Sequence, residues 1–194
     1  MEKGRLEAFS DGVIAILITI MVLELKIPQG TDWQAVRPLL PTLLSYVLSF
    51  IFLGIYWNNH HHMLQTVERI NGKILWANLH LLFWLSLVPL VTNWTGQYHF
   101  ASLPTAVYGC VFIMAAVAYT VLQQCIIRLQ GPESKLAIAV GRDLKAKFSL
   151  TLYAAGILLS SFAHPWLGAG LYWSVAALWF IPDPRIESRL NQKI

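Results

Sequence analysis

Arg5, Phe9, Ser10 and Asp11 crowd into the first dozen residues, directly ahead of twelve residues without a charge, Gly12 to Leu23. Ionisable groups at the mouth of such an apolar run are costly in a bilayer unless they find partners, so they mark function. A serine and an aspartate can cap a helix from outside, with Phe9 as a hydrophobic staple. A helix beginning near Arg5 instead puts Asp11 one to two turns inside it, where a carboxylate needs donors. Candidate donors are at hand in Trp57, His60, His61, His62, Trp76, Asn78 and His80.

The His60-His61-His62 triplet does not read as a metal site. Consecutive helical side chains diverge by about 100°, whereas an i,i+4 pair can share one ion. No HExxH pattern and no Cys/His ligand spacing occurs, and no nucleophile with an acid–base pair can be assembled, which argues against an enzyme. The chain also lacks a TVGYG-like carbonyl filter and an arginine repeat for voltage sensing. Glu24, past the apolar run, either draws cations to an entrance or ends a helix in solvent beside Lys26.

At 100° per residue, Ile16, Ile20 and Leu23 form a stripe on the first helix, with Thr19 beside it. Such a stripe either packs against neighbouring helices or lines a passage that bulky aliphatics close by excluding water.

The elements that must hold these residues are membrane helices. Of 194 residues, 56% are hydrophobic and only 12% charged, about half the charge of a soluble domain. Segments of about 20 apolar residues can span a bilayer, and six are expected: 9–27, 38–63, 72–94, 101–129, 142–164 and 166–182. Pro28-Gln29-Gly30 should end the first, Pro38 and Pro41 should open the second, and Pro89 should kink the third. Gly131-Pro132 closes the fourth, His164-Pro165 separates the last two, and residues 133–147 suit a short interfacial helix. The expected fold is all-α, one polytopic membrane domain over 1–194 with short loops. The length of the first apolar run and Asp11 inside it argue against a signal peptide. Cys110 and Cys125 sit too far apart on one helix to pair. With the N-terminus inside, twelve of the fourteen Lys and Arg residues fall on inner segments and only Lys26 and Arg37 outside, so both termini should be cytoplasmic. Basic residues dispersed along a membrane boundary do not suit nucleic acid.

Arg5-x-x-x-Phe9-Ser10-Asp11 resembles the RxxxFSD signature of the transmembrane protein 175 family, the endosomal/lysosomal potassium channels and their prokaryotic relatives. Trp57-Asn-Asn-His60-His61, Leu75-Trp76-Ala-Asn78-Leu79 and Phe180-Ile181-Pro182-Asp183 resemble later patterns of that family. With six spans the chain is similar to the prokaryotic branch; it departs at Ala15, where some members carry a pore-side serine, and at Pro184. The resemblance implies a homotetramer around a central pore lined by the first helix of each subunit. It implies passive K+ transport with no cofactor, in the inner membrane of a prokaryotic cell. Ile16 would form the narrowest ring, Ile20 and Leu23 further layers, and Thr19 would offer hydroxyls. Phe9, Ser10 and Asp11 would point away from the pore towards His60 or His61, Trp76 and Asn78, with Arg5 anchoring the cytoplasmic end. An alternative is proton conduction or proton-coupled transport through Asp11 and nearby histidines, which titrate near neutrality. A membrane scaffold with no flux is the third class.

Overall fold

The computed structural model describes residues 3–141 and 144–180. The tail with Pro182, Asp183 and Pro184 lies outside them, as does Arg142. The described chain is helical: α1 (Lys3–Leu23), α2 (Trp33–Val36), a 3-10 turn (Arg37–Leu39), α3 (Leu40–Gln65), α4 (Gly72–Ser86), α5 (Val88–Gln97), α6 (Ser102–Gln130), α7 (Lys135–Val140), α8 (Leu144–Phe162) and α9 (Pro165–Phe180).

The punctuation follows local chemistry. Asp32 caps α2 by accepting from Ala35 N at 3.0 Å, and Pro41 sits at the opening of α3, where a missing N–H costs nothing. Asn71 caps α4 by accepting from Ile74 N. The third span breaks at Leu87, between α4 and α5, because Pro89 cannot donate to the carbonyl four residues back. Gly131, at φ 92°, ends α6 in a conformation open to glycine at little cost. Ser134 caps the short α7 within the expected polar insertion. Pro165 opens α9 after a break of two residues, Ala163 and His164, that follows α8.

The first span differs from expectation, running Lys3–Leu23 rather than 9–27. Ser10 and Asp11 are held by other helices, so they do not cap this one from outside. Among the described residues, four stretches are long and apolar enough to cross a membrane: Lys3–Leu23, Trp33–Gln65, Gly72–Gln97 and Ser102–Gln130. Helices α8 and α9, of 19 and 16 residues, occupy the positions of the fifth and sixth expected spans.

Within a largely aliphatic core, an aromatic cluster lies between α3, α6, α8 and α9. Phe52 meets Phe112 at 4.4 Å between ring centroids, and Tyr108, Tyr153 and Tyr172 extend the stack. Glycine permits the closest approach: a Cβ at Gly168 of α9 would collide with the Ser160 hydroxyl and the Gly156 carbonyl of α8. Small residues bring membrane helices close enough for dispersion to hold them, since lipid offers no hydrophobic drive. This block is the support on which α3, α4 and α5 carry α1.

Candidate pore helix and its anchors

Helix α1 has two unlike faces. Leu6, Ser10, Ile14, Leu17 and Met21 recur at helical spacing and are buried against the rest of the chain. The opposite side, with Arg5, Gly12, Ala15, Ile16 and Thr19, is uncovered within the subunit. Ile16 is 57% exposed and Leu23 82%, with Ile20 flanking them. Thr19 Oγ1 donates to Ile16 O at 2.9 Å. Its proton is thereby turned back into the helix, and its oxygen is left as an acceptor on the uncovered face.

A directed chain of hydrogen bonds fixes the rotation of α1. Ser10 Oγ donates to Leu6 O at 2.9 Å and so accepts from Asn78 Nδ2, also at 2.9 Å. Asn78 Oδ1 can only accept, so the proton in its 2.7 Å contact with His60 comes from His60 Nε2. One backbone carbonyl thus sets the order across α3, α4 and α1. Ser10, Asn78 and His60 are all buried, where an unmade bond is expensive.

Asp11 points elsewhere. Its Oδ1 accepts from Trp57 Nε1 at 3.0 Å, rather than from His60 or His61. Adjacent helical side chains diverge by about 100°, so Ser10 and Asp11 cannot serve the same partner. His61 stacks on the Trp57 ring at 6.0 Å and accepts from Gln65 Nε2 at 2.8 Å. Lys3 Nζ donates to Gln65 O at 2.9 Å, a cation on the last turn of α3, and lies 3.8 Å from Glu7. Phe9 and Arg5 are exposed. Trp76 lies apart from the relay: it is 75% exposed and lines a groove between α4 and α6. It faces away from α1 because it falls about 200° around α4 from Asn78.

The far end of α1 has an anchor that the sequence did not disclose. Glu24 Oε2 accepts from Asn93 Nδ2 at 2.7 Å, and Asn93 Oδ1 accepts from Gln97 Nε2 at 2.8 Å. Gln97 orients the Asn93 amide so that its donor faces the carboxylate. The only signal was the i,i+4 spacing of Asn93 and Gln97, which says nothing of Glu24. A second buried knot, Ser49 with Thr92 at 2.6 Å and Tyr108 at 2.9 Å, ties α3, α5 and α6 together. It too left no trace beyond ordinary polar residues in apolar runs. Among the described residues no group of three or more His, Cys, Asp or Glu side chains could hold a metal ion.

Helix α1 is therefore pinned near both ends, apolar between, and bare on one side. Comparisons with known proteins bear on what such a helix is for. Residues 5–89 match the family model described as endosomal/lysosomal potassium channel TMEM175. A relative from Chryseobacterium sp. (strain P1-3) named as a potassium channel is 56% identical over 99% of this chain and 100% of its own. A Danio rerio relative named as the endosomal/lysosomal proton channel TMEM175 is 28% identical over 66% of this chain and 24% of its own. The crystal structure of a lysosomal potassium-selective channel TMEM175 homolog from Chamaesiphon minutus superposes with a TM-score of 0.79 at 28% identity, covering 94% of this chain and 98% of that one.

Proposed function

The chain belongs to the TMEM175 potassium channel family, and from that premise we propose that it is a passive K+ channel gated by a hydrophobic ring on α1. It is a multi-pass membrane protein that moves potassium down its gradient; the reaction makes and breaks no covalent bond. Four copies surround an axis with the bare face of α1 turned inward, and closed symmetry makes each α1 residue a ring. Ile16 forms the narrowest ring, with Ile20 and Leu23 as further layers. Such rings dewet, so conduction requires α1 to rotate or spread. Thr19, its proton committed to Ile16 O, presents oxygen to a dehydrated cation. Helices α8 and α9 complete six crossings in one domain, and both termini lie in the cytoplasm of a cell whose inner membrane holds the channel.

The observation that carries the pore assignment is the division of α1. Its buried stripe is matched to α3, α4 and α5, while Ile16, Thr19 and Leu23 are exposed among the described residues. The His60–Asn78–Ser10 relay supports the same reading, because it is satisfied at only one rotation of α1. The test is K+ against Na+ flux in liposomes carrying the purified protein. Potassium-gradient dissipation that exceeds sodium is expected; equal leak of both ions, or none, would remove the reading.

Two observations favour a second reading, proton conduction: the vertebrate relative bears a proton channel's name, and Asp11 bonds the Trp57 that stacks on His61. A pH gradient imposed without K+ separates the two, since proton conduction would then still drive current.

A further inference from the structure

Helices α4 and α6 run antiparallel and leave an open groove of about 760 Å³ between them, on the side of α4 away from α1. Trp76, Ala77, Val121 and Cys125 make its walls, and Lys73 stands at its mouth. His80 lines the end farther from Lys73, its Nε2 already accepting from Trp84 Nε1 at 3.0 Å. From Lys73 to His80 is seven residues, or about 10 Å at 1.5 Å per residue. On the facing wall Val121, Cys125 and Arg128 follow at i, i+4 and i+7, so exposed Arg128 continues that stripe out of the groove. Because α4 begins where α6 ends, Lys73 and Arg128 lie level at one membrane boundary. It is the boundary on which the chain concentrates its basic residues.

We propose that this groove is a lateral binding site for an anionic phospholipid of the leaflet facing the N-terminus. The headgroup phosphate sits between Lys73 and Arg128, and the upper part of one acyl chain lies along Trp76, Ala77, Val121 and Cys125. Charge complementarity selects the occupant. A zwitterionic lipid fits the apolar body equally well but gains little at the mouth, whereas basic residues flanking a gap between membrane helices favour acidic headgroups. A long apolar wall with cations at its wet end alone matches a lipid and not a peptide. The inference requires only that the chain sits in a bilayer, and it is independent of which ion passes.

The experiment uses the full chain in phosphatidylcholine vesicles containing either brominated phosphatidylglycerol or the same fraction of brominated phosphatidylcholine. The Trp76 fluorescence is isolated by subtracting the signal of Trp76→Phe. Quenching by the anionic lipid should set in at a severalfold lower mole fraction. Lys73→Gln with Arg128→Gln should bring the two lipids together, because each basic residue contributes to the attraction for an acidic headgroup. The charge-preserving exchange Lys73→Arg with Arg128→Lys should keep the preference and serves as the folding control. Equal quenching in the native protein, or a preference surviving Lys73→Gln with Arg128→Gln, overturns the proposal. So does a Trp76 shielded from both lipids, which would mean that a second copy covers the groove.

Discussion

Ser10 and Asp11 are neighbours in the chain and strangers in the fold. Ser10 ends a buried donor chain that starts at His60, while Asp11 meets Trp57 near the surface. The two should respond differently to mutation. Ser10→Ala removes one interhelical hydrogen bond, from Asn78 Nδ2, together with the bond to Leu6 O within α1, and should cost about 1 kcal/mol. Asn78→Leu leaves the His60 Nε2 proton buried without an acceptor and should cost about 1–3 kcal/mol. Melting temperatures in detergent should therefore fall in the order native, Ser10→Ala, Asn78→Leu; the reverse order would mean that the relay does not hold α1. For the proposed gate, Ile16→Asn would replace a dewetting ring with one that holds water. Potassium flux into liposomes should rise and the margin over sodium should shrink. Unchanged flux would exclude Ile16 from the ion path.

Helix α1 can act as a lever because its polar ties to its neighbours lie near its two ends. Near the N-terminus, α1 is tied to α3 and α4; at its far end it is tied through Glu24 to Asn93 of α5. The break at Leu87 lies between these two sets of partners, so bending there shifts the far anchor relative to the near one. Asn93→Leu cuts the far tie alone. The lost bond is solvent-exposed, and such contacts contribute about 0–1 kcal/mol, so stability should hardly change. Flux should rise severalfold as Thr19 to Leu23 loosen; a large fall in melting temperature with normal flux would assign the tie to folding instead. Gly168→Val tests the support block, since a larger side chain must push α9 off the Gly156 backbone. Overpacking of this kind costs about 1–3 kcal/mol. Melting temperature should drop while the K+ to Na+ ratio of the surviving protein holds.

At the scale of the whole molecule, the proposed pore requires several copies around the bare face of α1. A single subunit offers no axial passage along α1, because one side of it is covered by α3, α4 and α5. Mass in detergent, corrected for bound detergent, should equal four chains of 21.9 kDa. A monomeric mass with flux intact would require a different pore. Tags on both termini should be reached only from the cytoplasmic side of intact cells, as the skew of Lys and Arg demands.

Much of the architecture was legible in order of residues alone. Apolar runs set the membrane class. Pro89, Gly131 and Pro165 set the breaks, since a missing N–H or a positive φ acts locally and needs no knowledge of neighbours. The placing of Ser10 and Asn78 at one depth also followed, because rise per residue and alternating direction fix depth. Azimuth did not follow. Which of His60 and His61 turns towards Asn78, whether Asp11 meets a histidine or Trp57, and where Trp76 points depend on how helices rotate against each other. That rotation is set by packing summed over many distant contacts, which no window of sequence contains. So the chain by itself determined a helical membrane protein with a polar knot at one end of its first helix. Only the tertiary structure decided that Ser10 and Asp11 go to different partners, that Glu24 is tied to Asn93, and that Ile16, Thr19 and Leu23 are left uncovered.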